Sequence, residues 1–164
     1  MTLFDGTLGL ASDALVAAYV VGETGKVMGT ERSMPLYALT SYGLKFYQEQ
    51  HPQWEPLIRR MEIWNGDNLE YLRGLADDSI DVVYFDFMFE ETVTRSAGIQ
   101  VIKSVTVGDV LTADHVKEAV RVARRRVVAK SGYSGTSLQE LGFEVRKNHK
   151  RRNFYFGVID IHAT

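Results

Sequence analysis

Apolar positions along the chain switch between two spacings. Short runs of large and β-branched residues occupy 2–5, 25–31, 60–68 with its closing turn, 79–86 and 125–131. Runs of that length bounded by turn residues predict buried strands. Between them, 12–21, 34–50, 69–76 and 112–124 predict helices. Ser12 and Thr112 are expected as N-caps, Gly22 as a C-terminal stop, and Pro35 falls in a first turn, where a missing N–H costs nothing. A short helix within 134–143 ends at Gly142, and 143–149 with 154–161 reads as a closing hairpin. Residues 87–108 read as a loop. Strands and helices in this alternation predict right-handed βαβ units in a doubly wound, mostly parallel α/β sheet of seven strands. The final hairpin inserts one antiparallel strand.

In such sheets ligands bind beyond the carboxyl ends of the strands, where the strand order reverses. Acids stand at or just past four predicted strand ends: Asp5, Glu31, Asp67 and Asp86. Each alone could be a turn former, a solvated loop acid or a helix cap. Their shared edge points to a ligand site. The turn after the first strand reads Asp5-Gly6-Thr7-Leu8-Gly9 and opens the helix that carries Asp13. Gly6 and Gly9 allow a tight turn and close approach of a ligand. The dinucleotide fingerprint G-x-G-x-x-G is absent, and carboxylates here would repel the pyrophosphate that the fingerprint cradles. They suit a cationic cofactor with an amino acid tail, such as S-adenosylmethionine. Glu31 could accept both ribose hydroxyls, and Asp67 or Asn68 could meet the adenine amino group.

The segments "DGTLGLASDA", "GKVMGTERS" and "DVVYFDFMF" resemble the class I S-adenosylmethionine-dependent methyltransferases, and more narrowly the group around small-subunit ribosomal RNA guanine-N2 methyltransferase J and its Gram-positive relatives. The resemblance runs along nearly the whole chain and implies a Rossmann-like fold. It makes residues 1–164 a single methyltransferase domain without the N-terminal extension usual in the family. By position it implies cofactor contacts at Ser12 and Asp13, Glu31 and Arg32, Asp67 and Asn68, and Asp86. The family's Asp-Pro-Met-Phe motif stands here as Asp86-Phe87-Met88-Phe89.

The resemblance also supplies a chemistry for that motif. An exocyclic guanine nitrogen is a poor nucleophile, because its lone pair is delocalised into the ring. An acceptor for its N–H protons orients it and offsets the positive charge that develops. The Asp86 carboxylate and the Phe87 backbone carbonyl are the expected acceptors, and Phe89 the stacking face for a base flipped out of its helix. Met88 is expected in the core.

Composition narrows the field. There is no cysteine, which excludes disulfides, thiolate metal sites and cysteine nucleophiles, and the four histidines have no metal-ligand spacing. No stretch reaches the roughly 20 apolar residues of a membrane span, so a cytoplasmic protein is expected. The net charge of −2 decides nothing about nucleic acid, because distribution matters more than the sum. Basic residues gather late, at 121–126, Lys130 and 146–152, and Lys130, Lys150, Arg151 and Arg152 are candidates for phosphate contacts. The expected partner is ribosomal RNA or the small ribosomal subunit, with a homodimer as one way to complete target selection. A second reading, prompted by Phe87 in place of proline, is a cofactor-binding RNA-assembly protein with little turnover.

Overall fold

A computed structural model describes residues 1–87, 110–131, 135–147 and 155–161. Seven strands form one sheet in the order β3-β2-β1-β4-β5-β7-β6. They are β1 (Thr2–Asp5), β2 (Lys26–Glu31), β3 (Met61–Asn65), β4 (Ile80–Phe85), β5 (Ala123–Ser131), β6 (Glu144–Lys147) and β7 (Tyr155–Asp160). Every pairing is parallel except those of β7, which runs antiparallel between β5 and β6. This is the predicted doubly wound sheet with its antiparallel insertion. The order reverses between β1 and β4, so the switch point lies there.

Six α-helices fall in the described residues: α1 (Ser12–Val20), α2 (Met34–Gln50), α3 (Glu55–Ile58), α4 (Asn68–Arg73), α5 (Ala113–Val122) and α6 (Thr136–Glu140). The short α3 and the 3-10 turn before it, Pro52–Trp54, were not legible in the pattern. The loop expected over 87–108 lies, from residue 88 onward, outside the described residues. Among the described residues no helix is long and apolar enough to cross a membrane.

Period-two alternation decides which helices cover which face. Phe4, Met28, Val83, Phe85, Val127 and Ala129 point to one side, where they pack with Leu72 of α4, Ala119 and Val122 of α5, and Leu138 of α6. Their neighbours Leu3, Val27 and Ile63 point to the other side, against Ala14 and Ala18 of α1, Leu44 of α2 and Leu57 of α3. On the first side Phe4 stacks on Tyr71 at 5.1 Å, and Tyr71 on Trp64 at the same separation.

The helix ends follow local chemistry. Thr112 caps α5 through a capping box with His115. Ser33 caps α2, accepting from the Leu36 N–H. The cap of α1 departs from expectation. Ser12 is the first helical residue, and the N-cap is Ala11, in a left-handed conformation with no side-chain cap bond. Arg121 donates to the carbonyls of Leu72 and Leu75 near the end of α4, both at 2.9 Å. That places it in a structural role rather than among phosphate-binding cations.

The antiparallel insertion depends on a bare backbone at Gly157. A Cβ there would lie 2.7 Å from the Phe143 Cβ and 2.9 Å from its Cγ. Gly157→Ala is expected to destabilise the fold by about 1–3 kcal/mol, the usual cost of overpacking. In a Phe143→Ala background the same substitution should cost less than half as much. Urea unfolding of the four variants in a double-mutant cycle measures this, and equal costs in both backgrounds would contradict the packing account.

Candidate active site

The strand ends around the switch point carry a connected set of polar groups. Asp5, the last residue of β1, is 1% exposed. Its Oδ1 accepts from the Thr7 N–H at 2.9 Å and from the Thr7 hydroxyl at 3.2 Å. The Thr7 hydroxyl in turn accepts from the Asp86 N–H at 2.6 Å. Burial pushes the Asp5 carboxyl up to about 7, outweighing the Thr7 hydrogen bonds that favour its ionised form.

Gly6 continues the β1–β4 ladder, its N–H donating to the Tyr84 carbonyl at 2.9 Å. A side chain there would run into Phe85, 2.6 Å from its ring. Gly9 sits at φ +52, a conformation that glycine adopts without strain. The rest of the turn is fastened to β2. The Leu8 N–H donates to the Thr30 carbonyl, and the Thr40 hydroxyl to the Gly9 carbonyl.

Glu31 is held from both sides. Its two oxygens accept from the Gly9 N–H at 3.1 Å and the Ser33 N–H at 2.7 Å. The carboxylate is therefore fixed before any ligand arrives, and each oxygen keeps further acceptor capacity. Arg32 is exposed and lies 3.9 Å from Asp67. Asp67 is the N-cap of α4, its Oδ1 accepting from the Glu70 N–H. Asn68 is buried, and its amide donates to the Gly6 carbonyl at 2.7 Å. Its described contact is with the turn. Ser12 and Asp13 lie exposed in the first turn of α1.

The end of β4 separates two kinds of side chain by parity. Phe85 and Phe87 face the core side, where Phe87 is 6% exposed, stacks on Phe85 at 5.6 Å and meets His115 edge-on at 5.4 Å. The Phe87 side chain is thus a core residue. Only its backbone carbonyl remains a candidate acceptor. Tyr84 and Asp86 alternate with Phe85 and Phe87, and on the next strand Lys130 follows Ala129 of the same core face. The Lys130 ammonium pairs with Asp86 Oδ2 and lies 3.6 Å from Asp13 Oδ2. Tyr84 donates to Asp13 at 2.7 Å. Lys130, expected to touch phosphate, is an ion-pair partner inside the site.

Burial pushes the Asp86 carboxyl up, and the Lys130 ion pair opposes it. The Tyr84 phenol is raised above its ordinary range by burial and by the Asp86 carboxylate, so it stays a donor. Sequence reasoning missed Tyr84 and the pairing of Lys130 with Asp86. The available signal was their alternation with core residues in step with Asp86. Phe89, Met88, Lys150, Arg151 and Arg152 lie outside the described residues.

The donor set fits a cationic ligand better than a phosphate. Asp5, Asp13, Glu31 and Asp86 line the carboxyl ends of β1, β2 and β4 and the start of α1. Among the described residues no cluster of His, Asp or Glu is suited to a metal ion.

A family model described as "Putative SAM-dependent methyltransferase" matches residues 1–158. The chain is 40% identical over 158 residues to the uncharacterized protein YpiP of Bacillus subtilis, a match covering 96% of this chain and 61% of YpiP. It is 32% identical over 135 residues to the ribosomal RNA small subunit methyltransferase J of Shewanella piezotolerans, covering 79% of this chain and 49% of that protein. The chain thus spans about half to three fifths of the length of these relatives. Among solved structures, the SAM-dependent methyltransferase NGO1261 of Neisseria gonorrhoeae superposes with a TM-score of 0.69 at 20% identity, covering 99% of this chain and 62% of that one. A Streptococcus mutans protein solved in complex with SAH superposes with a TM-score of 0.57 at 11% identity, covering 97% of this chain and 87% of its own. These likenesses show the fold.

The raised Asp5 carboxyl makes a prediction about stability. With a folded value of about 7 against 3.8 when exposed, the folded chain binds the extra proton, so this group's stabilisation is full below about pH 4 and is lost as pH rises through 7. Asp5→Asn keeps the acceptor for Thr7 and cannot ionise. The parent's stability relative to this variant should fall between pH 4 and 7 by an amount on the order of a few kcal/mol. Chemical denaturation across that range measures it, and parallel profiles would contradict burial of an uncharged Asp5.

Proposed function

We propose, from the premise that the chain belongs to the S-adenosylmethionine-dependent methyltransferase family, that it transfers a methyl group to an exocyclic amine of a nucleic-acid base, namely guanine N2 of small-subunit ribosomal RNA. The observation that carries the reading is the set of carboxylates at the switch point, with Asp86 directly after β4. Relatives named ribosomal RNA small subunit methyltransferase J support the choice of substrate. The reading implies a cytoplasmic site of action and ribosomal RNA or the small subunit as partner.

When bound, S-adenosylmethionine supplies an electrophilic methyl group on a sulfonium. In this chain Glu31, already oriented by two backbone amides, would hold its ribose diol. Asp13 would set a negative field on its cationic side, and Asp67 would meet its adenine. Asp86 would accept from the amine N–H, aided by the Phe87 carbonyl, which orients the nitrogen lone pair and offsets charge that develops on nitrogen. Such an acceptor need not be a strong base, because the amine proton becomes acidic once the nitrogen is alkylated. The Thr7 hydroxyl fixes the backbone of Asp86 and so the origin of that acceptor.

Radiolabelled methyl transfer to small subunits from a strain lacking the modification, with the product nucleoside identified by mass spectrometry, tests the reading. N2-methylguanosine is expected. Cofactor binding without transfer would favour the RNA-assembly reading instead. Asp86→Asn should cut transfer at least tenfold while S-adenosylhomocysteine still binds. Glu31→Ala should weaken that binding about ten- to a hundredfold, the value of a charge-assisted hydrogen bond. Unchanged affinity in the Glu31 variant would remove it from the ribose site.

A further inference from the structure

We propose that Lys130 is a positioning residue for the methyl acceptor, holding Asp86 by one carboxylate oxygen so that the other remains an ionised acceptor for the amine. This rests on the methyltransferase reading and adds a residue to it. Lys130 sits on β5, where Ala129 is in register with Phe85, so the next residue of each strand brings Lys130 beside Asp86. Its own strand is pinned on the far side, where Lys130 pairs with Phe156 of β7. The ammonium takes Asp86 Oδ2, and Asp86 Oδ1 has no partner among the described residues. The Lys130 side chain is 21% exposed, less than Asp86 at 32% or Asp13 at 48%. The cation is thus the more enclosed member of each pair.

The groups facing Asp86 explain why it needs this neighbour. From the end of β1 come Asp5 and, through the turn, Thr7. From α1 comes Asp13, from β4 Tyr84, and from β5 Lys130. Among these described groups, the carboxyls of Asp13 and Asp86 share the ammonium of Lys130. Burial and the Asp13 carboxylate both favour a protonated Asp86, and Lys130 opposes them. Protonated Asp86 would offer an O–H in place of one acceptor oxygen and could not offset positive charge on the nitrogen. An enclosed ion pair adds little net stability once both ions are desolvated. Its effect falls instead on the protonation state and direction of the acid.

Lys130→Met and Lys130→Arg, compared with the parent, test the proposal by two readouts. The first is the titration of the Asp86 carboxyl by ¹³C NMR in cofactor-free protein, assigned with Asp86→Asn. The second is the pH profile of kcat/KM for methyl transfer. In Lys130→Met the Asp86 midpoint and the acid limb should both rise by about 1–3 pH units, the usual effect of losing an adjacent cation. Lys130→Arg should restore both. Should Lys130→Met fail to fold, Lys130→Gln carries the same measurement. An active parent with an unmoved Asp86 midpoint in the folded variant overturns the positioning role alone. So does weaker RNA binding with an unmoved acid limb, which would make Lys130 a phosphate contact. A parent that binds S-adenosylhomocysteine but transfers nothing, or binds neither form of the cofactor, overturns the methyltransferase reading itself, and the positioning role with it.

Discussion

The site rests on a hydrogen-bond chain between two strand ends. The buried Asp5 carboxyl holds Thr7, and the Thr7 hydroxyl receives the N–H of Asp86. Because β1 and β4 are neighbours on opposite sides of the strand-order reversal, this chain spans the switch point. The glycine turn and Asp86 are thereby built on one frame. Asn68 braces the same turn from α4 through the Gly6 carbonyl, and Glu31 braces it from β2 through the Gly9 N–H. Positioning of this kind is where a methyl-transfer site gains most, since in-line displacement depends on orientation more than on acid–base strength.

The sheet itself was legible. Short apolar runs bounded by turn residues placed all seven strands and the antiparallel insertion, since a buried strand needs a continuous apolar run. The acids at the strand ends were legible for a related reason, because a carboxylate ending such a run needs polar partners, as Asp5 finds in Thr7. Helix caps were less so. Ser12 looks like an N-cap, yet the backbone turns left-handed one residue earlier at Ala11, a conformation that side-chain propensity does not reveal.

Side-chain direction was the main loss. Phe87 stands in a functional motif, but the pleat sends its ring to the core beside Phe85 and His115. Lys130 stands near other cations in sequence, but strand register carries it to Asp86. The first follows from alternation along β4, and the second from pairing between β4 and β5, which joins segments far apart in the chain. The arginines at 124 and 126 show the converse, since their charges are matched by Asp81 and Asp160 away from the carboxyl ends of the parallel strands.

The central claim is that a glycine turn lined by carboxylates receives a cationic aminoacyl nucleoside and rejects a dinucleotide. Isothermal titration calorimetry of the protein with S-adenosylmethionine, S-adenosylhomocysteine and NAD tests it most directly. The account predicts saturable binding of the first two at one site per chain and no heat of binding for NAD. Binding of NAD, or no binding of either adenosyl compound by folded protein, would contradict it.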